Sequence, residues 1–114
     1  MDTQYNIYVG VPPNPAPFNW LQQADEIAAQ TFPGFTRLLG VGGWHDPTDK
    51  LFYESTIIYQ VILPAPLHDI GTPSWAIMTF ARALATLFNQ QEVLVTSTPI
   101  KTVRVHGFQR EVLQ

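Results

Sequence analysis

The segment Leu51 to Leu63 constrains the fold more than any other part of the chain. Its alternation places Tyr53, Ser55, Ile57, Tyr59, Val61 and Leu63 on one face, and Phe52, Glu54, Thr56, Ile58, Gln60 and Ile62 on the other. A period of two reads as a β-strand, yet beyond Thr56 both faces are mostly apolar. In an antiparallel sheet with helices on one side only, the second face should read polar. A strand that is apolar on both sides needs cover on both, and the second face is therefore read as covered by another subunit. The same strand is the return arm of an extended hairpin that starts at Phe35. The hairpin apex reads Gly42-Gly43-Trp44-His45-Asp46-Pro47, and Pro47 with Thr48-Asp49-Lys50 reverses the chain. Gly40, Gly42 and Gly43 tolerate positive φ or the close approach of another backbone.

The remaining elements follow from periodicity. Tyr5, Ile7, Val9 and Val11 alternate with Asn6, Tyr8 and Gly10, which predicts a first strand over Tyr5–Val11. Pro12, Pro13, Pro15 and Pro17 make a stiff connection. Asn19 reads as a helix N-cap with Gln22 at the capping-box position. Trp20, Leu21, Ala24, Ile27, Ala28 and Phe32 form one apolar stripe, with Gln22, Gln23, Asp25, Glu26 and Gln30 facing away. Pro33-Gly34 ends that helix. Pro64 and Pro66 close the long strand. Thr72 with Pro73 reads as the start of a second helix, whose core stripe is Ile77, Ala81, Leu84 and Phe88. Glu92–Thr98 reads as a fourth strand, Pro99 as an interruption, and Ile100–Phe108 as a fifth strand. The order is β-α-β-β-α-β with one extra terminal strand, an α+β fold of the ferredoxin-like, split βαβ kind, with both helices on one sheet face. No repeat or linker divides the 114 residues, which fit one domain.

Composition narrows the function. Charged residues are 13%, about half the roughly 25% of an average soluble domain; this fits a chain whose surface is partly buried by assembly. The net charge is −3 and the 6 Lys and Arg residues form no cluster, which argues against a nucleic-acid partner. Without cysteine there is neither disulfide nor thiolate metal site. The first residues lack a secretory pattern, and no apolar run approaches the ~20 residues of a membrane span. The expectation is a cytoplasmic protein with no membrane partner.

Several residues could carry chemistry, and each has a plainer reading. His45, Asp46 and Asp49 crowd the apex, where imidazole and carboxylate suit a divalent ion; their spacing matches no ligand motif, and Asp46 and Asp49 are ordinary turn residues. Metal and cofactor are accordingly expected to be absent. Trp44 either packs against a neighbouring subunit or stacks on a ligand. Glu54 on an apolar strand needs a partner, for which Arg37 on the adjoining strand is the candidate. That pair is either a cross-strand ion pair or a ligand grip. His68-Asp69 lies in a loop before the second helix. Arg104 and His106, with Lys101 and Arg110 nearby, form the best basic patch, suited to a carboxylate or phosphate or to a solvated strand edge. The residues assigned to a ligand site are Arg37, Trp44, His45, Lys50, Tyr53, Glu54, Arg104 and His106. No nucleophile elbow or P-loop is present.

The strand Tyr5–Gly10, Phe32-Pro33-Gly34-Phe35, Gly-Gly-Trp-His-Asp, Glu54-Ser55 and Asn89-Gln90-Gln91-Glu92-Val93-Leu94-Val95 together resemble an uncharacterised family of small bacterial domains. The resemblance covers most of the chain and brings no activity with it. A weaker similarity links the chain to the divalent-cation-tolerance and PII-like trimers, through the ferredoxin-like order and a long hairpin with a Trp near its turn. That resemblance implies hairpins that clasp neighbouring subunits, Trp44 as the clasp anchor, and small ligands in clefts between protomers. The combined expectation is a homo-oligomer, dimer or trimer, that binds a small anionic, nucleotide-like molecule. The alternatives are a small hydrolase or isomerase using His45 or His106 with a carboxylate, and a structural or protein-interaction role.

Overall fold

The computed structural model of the chain describes residues 1–12, 19–64 and 74–107. Its elements are β1 (Asp2–Gly10), α1 (Asn19–Thr31), β2 (Thr36–His45), β3 (Leu51–Leu63), α2 (Trp75–Leu87) and β4 (Leu94–Ile100). The four strands form one sheet in the order β2-β3-β1-β4, and every neighbouring pair is antiparallel. This is the ferredoxin-like α+β arrangement that the element order predicts.

Alternation decides which side of the sheet meets the helices. Thr3, Tyr5, Ile7 and Val9 of β1 and Ile57, Tyr59, Val61 and Leu63 of β3 are buried, and the register sets them directly opposite one another. α1 lays Ala24 and Ala28 into this layer, with Phe32 just beyond the helix end; the small alanine side chains let the helix come close. α2 contributes Ile77, Phe80, Ala81, Leu84 and, just past its end, Phe88. Phe80 is the hub, edge-on to Phe32 at 5.3 Å and to Tyr59 at 5.1 Å between ring centroids.

The ends of α2 are satisfied locally. Ser74 caps α2, its hydroxyl accepting from the Ile77 amide at 3.2 Å. The expected cap, Thr72 with Pro73, lies outside the described residues, as do His68-Asp69, Pro66, most of the Pro-rich connection, Phe108 and Arg110. At the other end Asn89 takes a left-handed φ of 53°, which asparagine tolerates. Gln90 follows immediately, its amide donating to Ala85 O at 2.8 Å.

Two strand expectations are corrected. β4 runs through Pro99, which sits opposite Thr3; β4 is an edge strand, where a missing N–H can point away from the sheet. The fifth strand over Ile100–Phe108 is absent among the described residues: 101–107 are exposed and unpaired in any sheet. The register explains why. Ile100 pairs with Asp2, the first residue of β1, so the partner strand is exhausted there. The Thr102 hydroxyl still donates to the Asp2 carboxylate. Arg104 and His106 are therefore tail residues, not neighbours on a strand face.

β3 is longer than the layer that covers it. β1 pairs with β3 only from Thr56 to Leu63, whereas β2 pairs with it from Leu51 to Gln60. The distal hairpin thus projects, leaving Leu39 71%, Val41 77% and Tyr53 71% exposed on the helix-side face. On the opposite face no described helix lies over Leu38, Trp44, Ile62 or Leu94, all exposed. Among the described residues no helix is long and apolar enough to cross a membrane.

The hub position of Phe80 generates a test. Phe80→Ala should lower the unfolding free energy by about 3–5 kcal/mol, read as a shifted urea midpoint with an unchanged slope; a loss under about 1 kcal/mol would contradict this packing.

Candidate functional site

β3 carries its even-numbered side chains on the open face, and three glycines flank two of them. Glu54 is opposite Gly42, and Thr56 is opposite Gly40 on one side and Gly10 on the other. A Cβ at Gly42 would lie 3.0 Å from Thr56 Oγ1, so the β3 side chains lean over bare backbone. The result is an open trough of about 440 Å³ lined by Tyr8, Gly10, Gly40, Val41, Gly42, Glu54, Thr56, Ile58, Gln90, Glu92 and Leu94. Gln90 and Glu92 enter from the turn between α2 and β4. The lining combines apolar surface with carboxylate, amide and hydroxyl oxygens. Among the described residues no lysine, arginine or histidine lines it.

Of the eight residues assigned to a ligand site from the sequence, Glu54 alone is on this lining. Arg37 lies on the other face of the sheet, opposite Tyr59, and cannot pair with Glu54. Its Nε instead donates to Asp25 Oδ1 at 2.9 Å, and the Tyr59 hydroxyl donates to the same oxygen at 2.7 Å. Asp25 was expected on the solvent face of α1. It sits four residues after Leu21 and three before Ala28, at the margin of the apolar stripe, and there it pins α1 to both β2 and β3. Burial, reinforced by the adjacent Asp25 carboxylate, pushes the Tyr59 phenol well above its ordinary 10.0.

The apex is a turn. Asp46 Oδ1 accepts from the Thr48 amide at 2.9 Å, the Thr48 hydroxyl at 2.7 Å and the Lys50 amide at 2.9 Å. The Thr48 hydroxyl, with the Lys50 amide, holds the Asp46 carboxyl below the usual range. Asp49 has φ 68°, and its carboxylate is 3.8 Å from His45 Nδ1. Trp44 stacks on Phe52 at 4.6 Å and 17°, with Lys50 Nζ 5.2 Å from the Phe52 ring centroid. Trp44, His45, Lys50 and Tyr53 therefore belong to the projecting hairpin tip, and Arg104 and His106 to the exposed tail. None of them lines the trough.

Gly10, Tyr8, Gln90 and Glu92 were missed as site residues. The available signal was parity: Gly40 and Gly42 share one face of β2, and a polar Gln90-Gln91-Glu92 run precedes an apolar strand. What brings them beside Glu54 is the strand order β2-β3-β1-β4, which local patterning does not contain.

No protein-family model matches the chain, and neither does any curated protein. Solved structures do. A phage SAM lyase in complex with S-methyl-5′-thioadenosine matches with a TM-score of 0.58 at 16% identity, over 85% of this chain and 80% of that one. A DUF3240 family protein from Shewanella baltica matches with a TM-score of 0.54 at 11% identity, over 92% and 97%. The periplasmic divalent cation tolerance protein CutA from Archaeoglobus fulgidus matches with a TM-score of 0.56 at 6% identity, over 91% and 88%. The chain thus shares its fold with an uncharacterised domain family and with the divalent-cation-tolerance proteins, the two likenesses its motifs imply.

The raised Tyr59 phenol has a measurable consequence. Because it stays protonated in the folded chain while the unfolded chain titrates near 10.0, its contribution is intact below that value and declines as pH rises above it. Stability should fall as pH rises above about 10, and Tyr59→Phe should flatten that decline; equal slopes in both proteins would remove Tyr59 as its source.

Proposed function

We propose that this protein is a small-molecule-binding module that acts as a homo-oligomer, with the glycine-lined trough on the open sheet face as the ligand site. The observation that carries this reading is the trough itself, where apolar surface and hydrogen-bonding oxygens converge over bare glycine backbone. Sites of this composition, apolar with a few directed polar groups, are the usual form of a small-molecule pocket. Without side chains at Gly10 and Gly42, the side chains of Glu54, Thr56 and Gln90 lie low over the main chain, which leaves room above them for a flat ligand. A nucleoside suits this shape, and the likeness in fold to a phage SAM lyase that holds S-methyl-5′-thioadenosine supports that choice.

The charge of the ligand changes from the sequence expectation. An anionic, nucleotide-like ligand needs cationic groups, and Arg37, Lys50 and Arg104, the cations assigned to the ligand site from the sequence, do not line the trough. Glu54 and Glu92 do, and their carboxylates repel a like-charged ligand. The ligand is read as an uncharged or cationic nucleoside-like molecule. A catalytic reading of the same trough would rely on Glu54 for acid-base work. The His-carboxylate version has less support, because His45 and His106 lie elsewhere.

Assembly follows from the projecting hairpin. Leu39, Val41 and Tyr53 on one face and Leu38 and Trp44 on the other are exposed large apolar groups, and contiguous patches of this kind mark interaction surfaces. Leu38 and Trp44 share the open face with the trough, so a second copy seated on that side of the hairpin would lie beside the site.

Titration calorimetry with S-methyl-5′-thioadenosine should give a saturable heat, and ATP should give none. Gly42→Val, which fills the trough floor, should abolish the heat with an unchanged circular dichroism spectrum. Silence from the nucleoside, or full binding by Gly42→Val, would count against the site. Sedimentation should show more than one copy per particle, and Val41→Asp should shift the protein toward monomer; a monomer at micromolar concentration for the unaltered chain would sink the oligomer.

A further inference from the structure

The Gly10 end of the trough has a chemistry that nucleoside binding alone does not use. Gly10 closes β1, and a Cβ placed there would lie 3.1 Å from Gln90 Oε1 and 3.1 Å from Glu54 Oε1. Two oxygens from different elements therefore converge on one point above the backbone. Each is an acceptor. An ionised carboxylate has no hydrogen to give. Gln90 Nε2 donates to Phe88 O at 3.2 Å, which turns the amide so that its oxygen is the atom near Gly10. Glu92 adds a second carboxylate to the same lining, and no cation is paired with Glu54 or Glu92 among the described residues.

An anion at this corner would meet the like charge of Glu54 and Glu92. A hydroxyl has one hydrogen and leaves an oxygen unserved. A protonated amine carries a positive charge and several N–H donors, and its hydrogen bonds to a carboxylate are charge-assisted. We infer that the Gly10 corner is a subsite for a protonated amino group of the ligand, held between Glu54 and Gln90. This rests on the nucleoside reading of the trough and makes Glu54 and Gln90 its specificity-determining residues. Gly10 belongs to the device because a methyl group there would crowd both oxygens and take up the space between them.

Three nucleosides that differ only at the 5′ position separate the possibilities: 5′-amino-5′-deoxyadenosine, adenosine and adenosine 5′-monophosphate, each titrated into the full chain at pH 7. The amine should bind tighter than adenosine by about tenfold or more, as a hydrogen bond to a charged group implies, and the monophosphate should bind most weakly. Glu54→Gln should erase the amine's advantage over adenosine, measured as the ratio of the two affinities in the same variant. Gln90→Leu provides a second variant should the first not fold. Equal affinity for amine and adenosine, or an advantage that survives in both variants, overturns the amine subsite and leaves the nucleoside reading standing. Absence of binding by all three compounds overturns both.

Discussion

The pairing of β3 governs the rest of the molecule. It lies between β2 and β1, and these two partners cover different stretches of it. β1 meets residues 56–63 and β2 meets residues 51–60. Where both are present, the odd-numbered side chains are sealed under the helices and form the core. Where β1 has stopped, the hairpin continues with one neighbour only. The end of β1 is set by chemistry in the chain itself, since Gly10 and Val11 are followed by Pro12, which has no amide hydrogen for a ladder. The trough lies at this step in the sheet, beside the residues at which a strand gives out.

The same pairing explains what could be read from the sequence. The bounds of β3 were legible to the residue, because an uninterrupted alternation has only one strand register that buries Ile57, Tyr59, Val61 and Leu63 together. The stripes of α1 and α2 were legible for the analogous reason at helical period. Asp25 was misplaced because a helical wheel classifies residues by angle alone. At the margin of the stripe a carboxylate is turned inward or outward by what lies opposite, here Arg37 and Tyr59. The fifth strand was wrongly expected because local composition shows that a segment favours extension and not whether any backbone remains for it to pair with.

Arg37 and Glu54 illustrate a different limit. Reading adjoining strands as a hairpin made them apparent partners, yet Arg37 shares its face with Tyr59 and Glu54 shares its face with Thr56. Parity separates them before distance does. The glycines of the hairpin were legible as places of close approach, but the group approaching them is the β3 side-chain row and not a turn. Gly10, Gln90 and Glu92 come to Glu54 through the central placement of β1 and the edge placement of β4, a long-range fact that periodicity does not carry.

The described carboxylates divide into those that have partners and those that do not. Asp25 is neutralised by Arg37 and bound by Tyr59. Asp46 is bound by the turn it stabilises. Glu54 and Glu92 line an otherwise largely apolar trough with no cation beside them. While the trough is open, water solvates them at little cost. In the proposed assembly a second copy on the hairpin would remove part of that water, and an unpaired carboxylate would then oppose association. A cationic group on the ligand offsets that penalty, so occupancy and assembly are linked and each favours the other. In that proposed assembly the exposed apolar hairpin would supply the attraction between copies, and the acidic trough would make it conditional on what the site holds.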